Sequence, residues 1–280
     1  MAGKMNINKN YYDTAVQASS CDDLLLAMYE ISGKETGKLS VISPCWKPHK
    51  VLKHTQAQIE CVSEHTSFSS YKIKLPKIEQ PFSWIYCSPG SSNVIDICLA
   101  LAHSDAEHLL FIGSAGTLDR KVSVGDIVLV RSAETVVPLT AIWDPEQFSC
   151  AKFDAVFAEK NPLYTYLHNL KSLPLPGVSV FSTPSILCEY LHKEFLSSKL
   201  IQCVEMETYA FFCAAQVAGK QSTAILCISD MIDTNHGLLN RDSETRNRYL
   251  CGREYALPQI LYEAAKCVVQ SSGENKNSPA

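Results

Sequence analysis

The sequence predicts an α/β fold, a single domain with a mixed, mostly parallel central sheet flanked by helices. Short apolar segments with the length of buried strands alternate with segments of helical periodicity along most of the chain. The clearest unit is 200–234, where an apolar strand, a helix closed by Gly219 and a second apolar strand follow one another. The 280 residues, 46% of them hydrophobic, suffice for one large domain, and no repeat or linker divides them.

The first half of the chain is assigned from apolar patterning and from its glycines and prolines. Residues 1–38 form an N-terminal segment that we expect to be partly disordered, with a short helix at 21–32. The domain spans 39–270, and we expect a disordered tail at 271–280. In the first half we predict strands at 39–43, 83–87, 109–112 and 127–131, a hairpin at 56–75 and a helix at 93–103.

The second half begins with 134–162, which contains three prolines and is predicted to be an irregular excursion. The helix at 207–218 is apolar on nearly every face and should be buried. The remaining predictions are strands at 177–182, 200–204 and 223–228, a helix at 186–198, a loop at 235–242 and a final helix at 243–269 broken near Pro258.

Composition excludes several classes of function. The net charge is −4 and no long basic block occurs, so we expect neither nucleic acid nor an anionic membrane as a partner. No run approaches the ~20 apolar residues of a membrane span. The N-terminal sequence is polar, so we expect no signal peptide and a cytoplasmic location. Twelve cysteines without a C-x-x-C pair are expected to be reduced, and no zinc or other metal site is predicted.

Carboxylates follow two of the predicted strands, where open α/β sheets bind ligands. Glu205 and Glu207 lie at the junction of the first strand with the buried helix, and Asp230 ends the next strand. Residues two apart share a face on a strand but not on a helix, so we expect the two glutamates to diverge. The alternative for either glutamate is compensation of helix N-terminal charge, worth ~0.3–1 kcal/mol. The alternative for Asp230 is a turn or helix cap.

Small residues after strands provide the other candidate sites. Gly113-Ser114-Ala115-Gly116 follows the strand at 109–112 and is predicted to be a loop whose N–H groups face an anion or a sugar. The turn Ser88-Pro89-Gly90 follows the strand at 83–87, and Gly90 is a candidate substrate-binding residue.

Three segments together resemble the nucleoside phosphorylase and nucleosidase superfamily in their order and spacing. They are FIGSAGTLDRKVSVGDIVLV at 111–130, VFST at 180–183, and VEMETYAFFCAA with AILCISDMIDT at 204–215 and 224–234. The resemblance covers about 39–270, and VFST and SDMIDT are closer to hexameric purine nucleoside phosphorylases than to methylthioadenosine nucleosidases. It implies cleavage of the N-glycosidic bond of a purine-type nucleoside, a homo-oligomer (dimer or hexamer), and no cofactor, with phosphate as a possible co-substrate.

The resemblance also implies roles for individual residues. Asp230 matches the general acid that protonates N7 of the purine, for which it needs a raised pKa. Glu207 matches the carboxylate that binds the ribose hydroxyls. Arg246 loosely matches an arginine that closes over the acid, and its alternative is a solvated surface arginine. The other substrate-binding candidates are Met206 under the ribose, Phe181 on the base (or in the core), Glu205, Ser229 beside the base (or as a cap), and Ser114 with Gly113 on the phosphate side.

The sequence departs from the phosphorylase pattern at the acceptor side. Phe111 stands where an arginine should bind phosphate, and Ser43–Lys47 replaces a G-D-P-x-R loop, which leaves Lys47 as the one substitute cation there. A further arginine, lent by a neighbouring subunit, should fall near Glu60 and does not. The glutamate with which nucleosidases activate water is also missing from the early loop. Hydrolysis by a nucleosidase of the methylthioadenosine type and non-catalytic nucleoside binding are therefore the alternatives.

Overall fold

The computed structural model describes residues 13, 14, 17, 23–137, 142, 145–158, 161–232, 237, 238 and 240–274. Its strands are β1 Leu39–Ser43, β2 Gln58–Glu64, β3 Phe68–Lys74, β4 Phe82–Cys87, β5 His108–Thr117, β6 Ile127–Val137, β7 Lys152–Phe157, β8 Gly177–Ser182, β9 Cys203–Glu205 and β10 Gln221–Met231. Its α-helices are α1 Leu24–Tyr29, α2 Pro48–Val51, α3 Ser91–Ala100, α4 Pro145–Cys150, α5 Pro162–His168, α6 Leu187–Ser198, α7 Thr208–Val217, α8 Ser243–Cys251 and α9 Leu257–Glu274.

The strands form one mixed sheet that closes on itself. The closed ring runs β10, β6, β8, β9 and β5, because β10 also pairs with β5. From β5 the sheet continues outward through β1, β4, β3 and β2, and β7 pairs with β6. The sheet contains parallel pairs, such as β10–β5 and β8–β9, and antiparallel pairs, such as β10–β6 and β5–β9. The predicted single α/β domain with a mixed sheet is confirmed, and closure into a barrel is added to it.

Strand β5 is longer than predicted, and this corrects the loop predicted at 113–116. Its pairing with β10 continues through Gly113, Ser114 and Gly116 to Thr117. A Cβ on Gly113 would lie 2.7 Å from the ring of Phe111, and one on Gly116 would lie 2.8 Å from Ile232. The glycines therefore serve close packing within a strand and do not mark a turn.

Helices cover the sheet on both faces. On one face α3 packs against α7, and Phe211 of α7 contacts Phe111 of β5 with ring centres 5.3 Å apart. On the other face α9 packs against α5. The predicted burial of α7 is confirmed, since Ala210, Phe211, Phe212, Ala214 and Ala215 are buried. Gly219 has a φ of +68°, as expected for the residue that closes the helix.

The segment 134–162 is more regular than predicted. Strand β6 continues to Val137, and α4 and β7 follow, with β7 antiparallel to β6. Phe148 of α4 contacts Phe153 of β7 at 5.3 Å, so aromatic packing orders this part of the chain. Pro145 and Pro162 stand at the first positions of α4 and α5, where the missing N–H is tolerated. Pro138 lies outside the described residues.

The C-terminal helix is broken near Pro258, as predicted. A π-helical turn at Gly252–Ala256 joins α8 to α9. Pro258 has no N–H to donate to the carbonyl four residues earlier, and the helical hydrogen bonds before it span five residues instead of four. Helix α9 extends to Glu274, and 275–280 lie outside the described residues, as do 235, 236 and 239 of the predicted loop at 235–242. Within the described part of the chain, no helix has the length and apolarity that crossing a membrane requires.

Candidate active site

The carboxyl ends of β8, β9 and β10 meet beside β5. Gly116 of β5 pairs with Asp230 on one side and with Val204 on the other. Since neighbouring strands lie about 4.8 Å apart, the backbones at Asp230 and Val204 are about 10 Å apart across a single strand. Phe181 pairs with Val204 and Ser182 with Glu205, so β8 reaches the same edge. The fold thus brings together the three motifs that the sequence singled out.

Asp230 is a buried carboxyl group, 2% exposed, at the end of β10. The N–H of Leu238 donates a 3.2 Å hydrogen bond to its Oδ2, and Ser229 Oγ lies 2.5 Å from its Oδ1. Burial raises the pKa of Asp230 above its ordinary value, although the Ser229 hydrogen bond and the charge of Arg241 act in the opposite direction. A raised pKa favours the protonated form of Asp230, which is the form that a general acid needs.

Ser229 fixes the orientation of that carboxyl group. A β-bulge at this point of β10 places its hydroxyl 3.2 Å from the carbonyl of Ala115 as well as 2.5 Å from Asp230. A hydroxyl has one proton and two lone pairs. When Asp230 is protonated, its O–H can donate to Ser229 while Ser229 donates to Ala115. The prediction that Ser229 contacts the substrate itself stays a prediction.

The arginine near the acid is Arg241, whereas the sequence analysis selected Arg246. Arg246 is exposed on α8, where its N–H donates a backbone hydrogen bond to the carbonyl of Asp242. Arg241 precedes that helix, donates a 3.3 Å hydrogen bond to the carbonyl of Ser229, and lies 5.1 Å from the ring centre of Tyr249. Arg246 lies on the exposed face of α8. The loosely matched motif in the sequence did not predict this.

Glu207 is the second buried carboxyl group, 5% exposed, at the start of α7. The N–H of Gly90 donates a 2.8 Å hydrogen bond to its Oε1. Burial, and next the charge of Glu205, raise the pKa of Glu207 to about 8. Gly90 therefore contacts Glu207, and its own substrate contact stays a prediction. Ser91 donates a 2.7 Å hydrogen bond to the carbonyl of Met206, whose half-buried side chain lies between the two glutamates in sequence.

Glu205 diverges from Glu207, as expected. It accepts hydrogen bonds from the N–H groups of Glu207 and Thr208, each at 2.7 Å, and from the hydroxyl of Ser182. The two N–H donors lie at the N-terminus of α7, so the side chain of Glu205 caps that helix. Its oxygens are used within the protein, which favours the helix-terminus alternative over substrate contact.

Phe181 lies in the core, 1% exposed. Its ring centre is 5.8 Å from those of Phe148 and Phe153, which α4 and β7 supply. The structure therefore corrects the expectation that Phe181 stacks on a base, because the excursion after β6 covers it with other aromatic rings.

Cys45 and Ser114 form the acceptor side of the site. Cys45 Sγ lies 3.5 Å from Ser114 Oγ, and burial, opposed by the Ser114 hydrogen bond and assisted by the charge of Glu207, raises the thiol pKa to about 11. Lys47 Nζ lies instead 2.5 Å from Glu64 Oε1 and 5.7 Å from the ring centre of Tyr86. Among the described residues, no lysine or arginine side chain bonds to Ser114 or Cys45. The tentative phosphate role of Lys47 is thus unsupported, and Ser114 faces a neutral thiol.

Sequence reasoning also missed Glu189, in the first turn of α6. Its side chain lies on the buried face of that helix with Cys188, His192 and Leu196. Burial, followed by the charges of Asp230 and Glu205, raises the pKa of Glu189 to about 8. The spacing 189, 192, 196 is helical and marks that face as buried, which is the signal that could have found it.

No group of three or more metal-binding side chains occurs within the described ranges.

Comparison with known proteins agrees with this geometry. The profile of the Phosphorylase superfamily matches residues 43–251. The chain is 27% identical over 143 residues to a DeoD-type purine nucleoside phosphorylase of Bacillus velezensis, an alignment that covers 50% of this chain and 60% of that protein. The matched part thus falls well short of that relative's full length.

Two solved structures show the same fold. The 5′-methylthioadenosine/S-adenosylhomocysteine nucleosidase of Campylobacter jejuni superimposes with a TM-score of 0.63 at 14% identity, over 82% of this chain and 99% of that one. Uridine phosphorylase from Vibrio fischeri superimposes with a TM-score of 0.61 at 17% identity, over 85% of this chain and 93% of that one. At these identities the likeness concerns the fold.

Proposed function

The chain belongs to the phosphorylase superfamily, and from this premise we propose that it cleaves the N-glycosidic bond of a purine-type nucleoside. Members of the superfamily are nucleoside phosphorylases or nucleosidases. The observation that carries the proposal is a pair of buried carboxyl groups with raised pKa. Asp230 lies near the end of β10 and Glu207 follows β9, and these two strands pair with β5 on its opposite sides.

The two carboxyl groups suit the two ends of the bond that breaks. As the C1′–N bond breaks, its electron pair goes to the base, and Asp230 donates a proton to a ring nitrogen to neutralise it. The ribose acquires positive charge, and Glu207 accepts hydrogen bonds from the vicinal hydroxyls and places negative charge near C1′. A hydroxyl that donates to Glu207 also favours its ionised form, which lowers its raised pKa as substrate binds.

We propose water as the acceptor. A phosphate ion would meet Ser114, the neutral thiol of Cys45 and the nearby carboxyl group of Glu207, and no lysine or arginine among the described residues bonds to Ser114 or Cys45 to balance its charge. Water needs no such balance. Phosphorolysis is the second candidate, supported by the likeness to the DeoD-type phosphorylase. A third candidate, a nucleoside-binding relative without activity, is supported by the aromatic rings that cover Phe181.

Chromatography of free base from a panel of nucleosides, with and without phosphate, tests these candidates. Hydrolysis predicts base and free ribose at a rate that phosphate does not change, whereas phosphorolysis predicts a sugar 1-phosphate and a phosphate-dependent rate. Asp230→Asn should abolish turnover and retain nucleoside binding, and Asp105→Asn, at an exposed aspartate, is the matched control. Tight nucleoside binding with no product from the wild type would favour the inactive relative.

We also propose that the chain assembles into a dimer or hexamer, as the resemblance to nucleoside phosphorylases implies. The exposed Leu187 and Leu191, one turn apart on α6, support a contact surface there. Light scattering coupled to size exclusion gives the mass, and a monomer at micromolar concentration would contradict the proposal.

A further inference from the structure

The N-terminus of α7 is capped by side chains from β8 and β9. Glu205 Oε2 accepts the N–H groups of Glu207 and Thr208, each at 2.7 Å. The hydroxyl of Ser182 accepts the N–H of Tyr209 at 2.9 Å and donates to Glu205 Oε1. These two side chains therefore satisfy three consecutive N–H groups at the start of the helix, where no carbonyl of the helix itself can accept them.

Glu207 is itself the N-cap residue of α7, yet its side chain makes no capping hydrogen bond. An N-cap side chain ordinarily accepts from the N–H of the second or third residue of the helix. In α7 the second residue is Tyr209, whose N–H is already bound by Ser182. The carboxyl group of Glu207 instead accepts the N–H of Gly90 through its Oε1, at 2.8 Å.

We propose that Ser182 is a positioning residue for the substrate carboxylate. By capping α7 together with Glu205, it releases the carboxyl group of Glu207 from its own helix and keeps it in place for the ribose. This inference rests on the proposed function, in which Glu207 binds the vicinal hydroxyls. A hydroxyl suits this task because it has one proton and two lone pairs, so it can donate to a carboxylate and accept from an N–H at the same time.

The N–H that Ser182 binds is held in position from a second side. The phenol of Tyr209 donates a 2.6 Å hydrogen bond to Asp154 Oδ2 of β7. Ser182 is 6% exposed, so loss of its hydroxyl would leave this N–H without an acceptor at a buried position, which is costly. The side chain of the N-cap residue, Glu207, would then be drawn toward the N–H of Tyr209 and away from Gly90.

The matched control for Ser182 is Ser179, a buried serine of the same strand. Its hydroxyl is bonded to those of Ser132 and to the guanidinium of Arg131, each at 2.9 Å, and none of these groups caps α7. Ser179→Ala therefore removes a buried, hydrogen-bonded hydroxyl from β8 without changing the N-terminus of the helix. Ser182→Thr is the conservative variant, since it retains the hydroxyl.

The kinetic test measures KM for inosine and adenosine and for their 2′-deoxy analogues. In Ser182→Ala, KM for the ribonucleosides should rise about tenfold or more, the scale of a lost hydrogen bond to a charged group. KM for the 2′-deoxy analogues should rise less, because they lack one of the hydroxyls that Glu207 binds. Ser182→Thr and Ser179→Ala should both remain close to wild type. Equal changes for the two kinds of nucleoside in Ser182→Ala, or no change, would overturn the proposal.

Hydrogen exchange at the amide of Gly90, measured by NMR without nucleoside, tests the position of Glu207 independently of activity. This amide should exchange about tenfold faster or more in Ser182→Ala, because the carboxyl group that protects it has moved. It should exchange at the wild-type rate in Ser179→Ala. An unchanged rate in Ser182→Ala would contradict the positioning role. If the wild type releases no base but Gly90 exchanges faster in Ser182→Ala, the proposed function fails and the positioning of Glu207 by Ser182 stands.

Discussion

The N–H of Gly90 donates a hydrogen bond to Glu207 Oε1 at a φ of +131°, a backbone conformation that side chains rarely adopt. The turn before α3 thus holds the carboxyl group that we assign to the ribose. This turn follows β4, which is separated from β5 by β1, whereas Glu207 follows β9 on the opposite side of β5.

Gly90→Ala should therefore lower both stability and activity. The strained φ should cost about 1–3 kcal/mol in the free energy of unfolding, and displacement of Glu207 should raise KM for the nucleoside. Chemical denaturation and steady-state kinetics measure the two effects. Gly177→Ala is the control, since a Cβ there meets no atom closer than 3.7 Å. Equal KM values in the two variants would contradict the role of the turn.

Gly116→Ala should affect the acid. A Cβ at Gly116 would lie 3.2 Å from Asp230 Oδ2 and 2.8 Å from Ile232, so the carboxyl group must shift. We expect kcat to fall by about tenfold or more, since small displacements of a catalytic group are costly, with binding of the nucleoside less affected. Normal kcat in a folded variant would show that Asp230 tolerates the displacement and would argue against its role.

Arg241→Gln and Arg246→Gln should behave differently. The guanidinium of Arg241 favours the ionised form of Asp230, so its removal raises the pKa of Asp230 further and should move the alkaline limb of the pH–rate profile upward. Arg246 is exposed and should leave the profile unchanged. A shift in Arg246→Gln alone would restore the assignment made from sequence.

Lys47→Met should leave the phosphate response of the rate unchanged. The ammonium group is held by Glu64 in an exposed ion pair, whose loss should change stability by at most about 1 kcal/mol. The rate of base release at several phosphate concentrations, compared with that of Lys50→Met, measures this. A phosphate-dependent rate that Lys47→Met abolishes would show that the lysine binds phosphate after all.

Much of the fold was predictable from local pattern. β1 and β8 have the predicted bounds, and α7 ends before a left-handed glycine, because apolar runs and glycine caps act within a few residues. The part that failed depends on distant contacts. Gly113 and Gly116 lie within a strand, where Phe111 and Ile232 leave no room for a Cβ. The spacing of residues in the sequence does not show these contacts.

For the site too, local sequence motifs were informative, and contacts between distant segments could not be predicted. Asp230 and Glu207 were selected as candidates because each lies at or after a strand within a recognisable motif. The sequence left Phe181 open between the base and the core, because Phe148 and Phe153, which cover it, come from a segment predicted to be irregular. Glu189 was missed because its burial depends on segments that lie far away in sequence.

The most direct test of the account is base release by wild type and Asp230→Asn, measured by chromatography across a phosphate titration. We predict release of free base and ribose at a rate that phosphate does not alter, and a loss of about 100-fold or more in Asp230→Asn, the scale of general acid catalysis. Undiminished turnover by Asp230→Asn would contradict the central claim.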